Sequence, residues 1–250
     1  ESGGAITIGD ANSAGGSGVV FANDFTLAST GSITSTGGRT LYFSGGTGNF
    51  RGDGSNNNAP VIISGNVSFF DELDGIIDFG TNIPVTINSG VTLTVSLGNL
   101  LAIHQTTSSL VNNGTIAGSS GSGLTVDTPT FTNNGTIASE VAVTFVADST
   151  LSGDGTIVGT MTINSGVTLT LSGSQTLSQA PVVNGTINYG DGSSGIISFA
   201  GAASWANFTV NRALGMTLNS LLTIVNQLTL TLGVFTTNGN LTLGNGVATP

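Results

Sequence analysis

Cysteine is absent from this chain of 250 residues, so neither a disulfide framework nor a thiolate metal site holds it together. Lysine is absent too. Three arginines face thirteen acidic residues, giving a net charge of -10. That balance repels nucleic acid and anionic membrane, and no basic patch offsets it. A single histidine, His104, has no obvious catalytic partner and reads as a strand-edge or surface residue. No apolar run approaches the roughly 18 residues that a membrane-spanning helix needs, so no direct membrane insertion is expected. No helix signal of useful length occurs. No secretory leader opens the chain, which is expected to be a mature product or an excised piece.

What is abundant is glycine, 39 residues, with a polar bulk of Ser, Thr and Asn in place of charge. Such a composition can mark low-complexity disorder, but regular alternation argues for order. In Val91-Thr-Leu-Thr-Val-Ser-Leu97 every second residue is apolar, as it is in Val167-Thr-Leu-Thr-Leu171 and Leu228-Thr-Leu-Thr-Leu232. A period of two defines a strand with one buried and one wet face. Val and Leu point inward, while β-branched Thr suits the exposed side.

The turns between such runs are written in Asn and Gly, and they are copied. Thr86-Ile-Asn-Ser-Gly-Val-Thr-Leu-Thr94 returns unchanged as Thr162 to Thr170. Gly-Thr-Ile occurs at Gly114, Gly135, Gly155 and Gly185, the first three about 20 residues apart. Asn-Gly turns alone would fit an antiparallel sandwich of hairpins. Sandwich turns, however, do not copy each other's wording, whereas repeats near 20 residues are the signature of a stacked coil. The spacing therefore predicts an all-β, right-handed parallel β-helix of about 12 rungs, some 60 Å long at the strand spacing. Ile116, Ile137, Ile157 and Ile187 are expected inward at equivalent corners, with turn Asn side chains bonding along the stack. A coil needs no domain boundary, because each rung touches only its neighbours. One solenoid domain is expected over 1–250: irregular rungs with projecting loops over 1–84, regular repeats over 85–199, and Leu-rich rungs over 200–250.

The repeated Asn-Gly-Thr-Ile wording is similar to the passenger repeats of large bacterial surface adhesins, autotransporters and filamentous-haemagglutinin-like proteins. Residues 205–247, from Trp-Ala-Asn-Phe-Thr-Val-Asn-Arg to Leu-Thr-Leu-Gly-Asn-Gly, resemble repeats in giant secreted surface proteins of the Bacteroidetes. The resemblance implies a right-handed β-solenoid exported to the cell surface. No active-site motif comes with it. The expectation is a structural, non-enzymatic component of an extracellular surface fibre or adhesin. It would associate end to end or belong to a longer solenoid, with host or surface glycans as candidate partners. Two alternatives are a carbohydrate-binding or carbohydrate-cleaving β-helix and an ice-binding solenoid.

Pectate-lyase-like and polygalacturonase-like enzymes work on this architecture through clustered carboxylates. The one acidic cluster is Asp71, Glu72, Asp74 and Asp78 around Gly75. Hard oxygen ligands beside a glycine turn suit Ca²⁺, and no other cofactor is expected. The spacing does not follow the twelve-residue calcium loop and no basic residue is near, so a solvated acidic turn is the competing reading. Trp205 and Arg212 read as packing or capping residues rather than a sugar-stacking pair. Arg51-Gly-Asp53, the triplet some integrins read, sits in a polar loop of a Gly-rich chain and reads as a chance match. Thr-x-Thr pairs at 92/94, 130/132, 160/162, 168/170 and 229/231 fall at uneven intervals and do not clearly line one face.

Overall fold

The computed structural model describes residues 5–8, 19–23, 25–27, 32–35, 40–50, 60–70, 75–81, 83–104 and 109–244. Every pairing among its strands is parallel, which settles the choice between solenoid and antiparallel sandwich. The chain coils as an all-β solenoid, and among the described residues there is no helix. Each turn contributes a strand to three faces in order. Val61–Ile63, Val67–Phe70 and Ile76–Thr81 make one such turn, and the pattern runs on to Leu241–Leu243.

About nine turns result, against the 12 expected. The period is also not constant: successive first-face strands are offset by 25 residues from Val85 to Leu110 and by 18 from Leu171 to Tyr189. Ahead of Val61, Val19–Phe21 and Leu41–Phe43 extend the first face, while Phe25–Leu27 and Thr47–Phe50 extend the second. Ala5–Ile8 pairs with Ser32–Ser35 in a separate two-stranded sheet.

The alternation seen in the sequence places one apolar row above another. On the second face Leu93, Ile116, Ile137, Ile157 and Leu177 stack in a single register, each at most 9% exposed. Aromatic rings fill the wider parts of the core. Trp205, fully buried, meets Phe208 at 5.3 Å and Phe199 at 5.8 Å, and its indole N–H donates to the Pro181 carbonyl at 3.1 Å. Burying an aromatic ring of this size while satisfying its one donor is strongly stabilising.

The copied phrases turn out to be corners, not positions in a turn. In the first copy Val85–Ile87 lies on the first face and Thr92–Val95 on the second. In the second copy Met161–Ile163 lies on the third face and Thr168–Leu171 on the first. The identical nonapeptide thus turns two different corners with one local geometry, Gly90 at φ 75° and Gly166 at φ 80°. Gly-Thr-Ile follows suit. Ile187 is fully buried, but it stacks on Leu169 in the first face, and Leu177 continues the Ile116–Ile157 row in its place. The expected equivalence of the four isoleucines therefore holds for three. The reason lies in the stacking. A Cβ on Gly114 would come within 2.3 Å of the Val91 carbonyl oxygen, and one on Gly185 within 2.1 Å of that of Val167. Asn-Gly-Thr-Ile is the wording that fits directly above Asn-Ser-Gly-Val, wherever that corner falls.

The last turns close one corner differently. Val182–Tyr189, Ala203–Asn211 and Leu222–Leu232 each run unbroken from the third face to the first. Register shifts at Val183/Thr186 and Trp205/Asn207 bend these strands around the corner, as a bulge does.

Candidate functional site

The acidic residues are the natural place to look for chemistry. Among the described residues no three of His, Asp and Glu come together in a way that could hold a metal. Asp148, Asp154 and Asp191 act as corner caps: each accepts a backbone N–H from the next turn, Thr168 at 2.7 Å, Ser174 at 3.0 Å and Ala213 at 2.6 Å. Asn66 does the same for Thr92 at 2.8 Å. Of the calcium candidates, Asp71, Glu72 and Asp74 lie outside the described residues. Asp78 is placed by its backbone within Ile76–Thr81, opposite Ala102. His104 ends the strand Leu100–His104, opposite Thr81 on one side and Asp127 on the other. Arg51 to Asp53 also lie outside the described residues.

Arg212 and Trp205 do what packing and capping residues do. The Arg212 guanidinium donates to the carbonyls of Ser193 at 3.1 Å and Gly215 at 2.5 Å. Trp205 is shut inside the core, so no sugar can stack on it. Burial also pushes the Tyr189 hydroxyl well above its ordinary pKa, because ionising it would place a charge in the apolar interior.

The polar feature that the sequence reading did not locate is an internal ladder. Asn112 donates to Asn133 at 2.8 Å, and Asn133 donates to Gln175 at 2.9 Å. Both asparagines are fully buried, and Gln175 is 9% exposed. Gln175 also donates to the carbonyls of Asn133, Ser152 and Gly153. The ladder satisfies backbone groups freed at the corner between the first two faces. Outside it, Asn134 donates to Asn113 at 2.8 Å, so turn Asn side chains do bond along the stack.

Outward residues form rows at the rung spacing of about 4.8 Å. On the first face Ser109, Thr130, Thr150, Thr170, Asn188, Thr209 and Thr229 share one register across successive strands. The second face carries Thr92, Thr115, Thr136, Thr156 and Thr176, and the third Thr125, Thr144 and Thr162. The Thr-x-Thr pairs are accordingly divided among the faces, three of them on the first. Their uneven sequence intervals come from unequal turn lengths, while the backbone ladders keep the rows aligned.

The first-face row passes one depression. A cavity of about 280 Å³ at the corner with the third face is lined by Pro129, Asp148, Ser149, Thr150, Thr168 and Thr170. Its lining combines a carboxylate, the hydroxyl-bearing Ser149 and three threonines, and a proline ring. A sequence signal for it exists in retrospect: Asp148 precedes the residue it caps, Thr168, by 20, the same offset that joins Asp154 to Ser174. Compared with known proteins, the chain matches no family model, no curated protein and no solved structure.

Proposed function

We propose that this chain is a structural rod of an extracellular bacterial surface fibre or adhesin, lengthened by further β-turns stacked on its end. The observation that carries this reading is the last described turn. Leu230 and Leu243 continue the inward rows of Val210 and Ile224, which are fully buried, yet they are 39% and 37% exposed. Phe235 and Leu241 continue the rows of Met216 and Leu222 and are only partly covered. Around them Leu214, Leu221, Val225, Leu232 and Val234 are exposed at the corners and edges of the same two turns. Apolar surface gathered in one place marks an interaction site, and an open strand edge templates another strand.

The layer that completes this end has the same alternation of inward apolar and outward polar residues. It comes from the rest of a longer surface protein or from another copy of the chain. Head-to-tail contacts that do not close generate open fibres. Asp148, Asp154 and Asp191 each use one carboxylate oxygen to cap a corner, a structural role in keeping with a rod. Location outside the cell rests on the adhesin-like wording of the repeats.

Electron microscopy and sedimentation of the 250-residue chain test the proposal. Rods clearly longer than about 43 Å, the span of the nine turns of one chain at the strand spacing, are expected, and L230D with L243D should shorten them. Strictly monomeric particles at high concentration would overturn the reading.

A further inference from the structure

We propose that the depression at the corner of the third and first faces, with the hydroxyl row running through it, binds a neutral glycan chain lying along the rod axis. This deepens the adhesive reading above and rests on it for biological setting only.

A pyranose ring presents a rim of hydroxyls and a face of C–H bonds. The depression offers a counterpart to each. Asp148 Oδ1 accepts the Thr168 N–H at 2.7 Å, which anchors the exposed carboxylate and leaves its other oxygen with its acceptor capacity unspent on that bond. Thr150 and Thr170 are register partners on adjacent strands, and Thr168 lies two residues before Thr170 on the same strand. Their side chains therefore stand about 4.8 Å apart across the sheet and about 6.6 Å apart along the strand. Each pairs a hydroxyl with a methyl group, and the Pro129 ring adds an apolar plane.

These groups are fixed before any ligand arrives. Threonine is stiff at χ1, and the backbone beneath it is held in parallel ladders on both sides. Little ordering remains to oppose binding. One strand further along, the Asn188 amide donates to Thr170 Oγ1 at 3.4 Å, a bond that leaves the Thr170 hydroxyl its own hydrogen to donate.

Two features narrow the ligand class. The chain carries a net charge of -10 and the depression holds a carboxylate with no cation among its lining residues, so uronates and other anionic sugars are repelled. A cavity of about 280 Å³ is at the lower end of small-molecule sites. The row continues beyond it through Thr130 on one side and Thr209 on the other. Affinity then accumulates over several sugar units, and the preferred ligand is a polymer.

Isothermal titration of the full chain with neutral gluco-, manno- and xylo-hexaoses, with polygalacturonate as the anionic comparison, tests the proposal. At least one hexaose should bind, more tightly than its own triose, and polygalacturonate should not. D148N keeps a capping oxygen for Thr168 and removes the charge; T170A removes one hydroxyl. Each should weaken binding, D148N by about tenfold or more, the loss of one hydrogen bond to a charged group. T150R, which fills the groove, should abolish it, with thermal melts confirming that all three variants fold. The proposal is overturned by no hexaose binding at millimolar concentration, by preference for polygalacturonate, or by variants that bind as the parent does. Thermal hysteresis without glycan binding would likewise overturn it and assign the row to ice. Any of these results leaves rods seen by microscopy untouched, so the two readings fail separately.

Discussion

Replacing Asn133 by Ala removes the middle member of the internal ladder. In the parent, Asn133 accepts from Asn112 at 2.8 Å and donates to Gln175 at 2.9 Å. After truncation the Asn112 amide keeps only a 3.4 Å contact with the Thr136 carbonyl, and Gln175 Oε1 loses its donor. Both groups are shut away from water. A buried polar group left unsatisfied costs about 1–3 kcal/mol, so the expected loss is about 2–6 kcal/mol, a large part of a domain's usual 5–15 kcal/mol. Because each turn contacts only its neighbours, the damage should be local. Amides bonded at this corner, those of Gly114, Gly135 and Gly155, should exchange hydrogen faster, while that of Leu222, in a distant turn, should not change. Adding Gln175→Ala removes one of the orphaned groups, so the double variant should lose less than the sum of the singles, by about 1 kcal/mol. Urea denaturation and hydrogen exchange provide the readouts. An N133A chain as stable as the parent, within about 0.5 kcal/mol, would show that the ladder carries no net stability.

Three further outcomes follow from the same geometry. Ile137→Asp puts an unpaired charge between Ile116 and Ile157 and should cost several kcal/mol; a variant that melts like the parent would contradict the inward row. Gly135→Ala brings a Cβ to 1.9 Å from the Gly114 carbonyl oxygen and should be far more damaging than Gly166→Ala. The latter meets nothing within 4 Å and carries only the roughly 1–2 kcal/mol cost of a left-handed backbone; equal melting shifts would refute the stacking account. Tyr189, protonated in the folded chain well beyond its ordinary pKa of 10.0, ionises first in the unfolded chain. Its contribution is present in full below pH 10.0 and is lost as pH rises from there toward the folded-state pKa. Tyr189→Phe should therefore flatten the decline of stability above pH 10.0; an unchanged slope would place the cause elsewhere.

Strand identity and inward-facing residues were legible in the sequence because both are local. Alternation decides which side chain is buried, as at Leu93, Val95, Leu169 and Leu171. Asn-Ser-Gly brings its own positive φ at Gly90 and Gly166, wherever it is placed. The parallel stack was legible from copied wording, since residues in register need like neighbours above and below. Phase was not legible. Which face a strand joins depends on the summed length of every turn before it, so one nonapeptide serves two different corners and Ile187 leaves the row of Ile137. Partners were not legible either. Asn133 finds Gln175 across 42 residues, and Asp148 becomes a cap facing a groove only because Thr168 arrives one turn later. These contacts are made between rungs, at offsets that vary from turn to turn. Only stacking the coil decides which polar side chains are sealed inside as structure and which are left in rows on the surface.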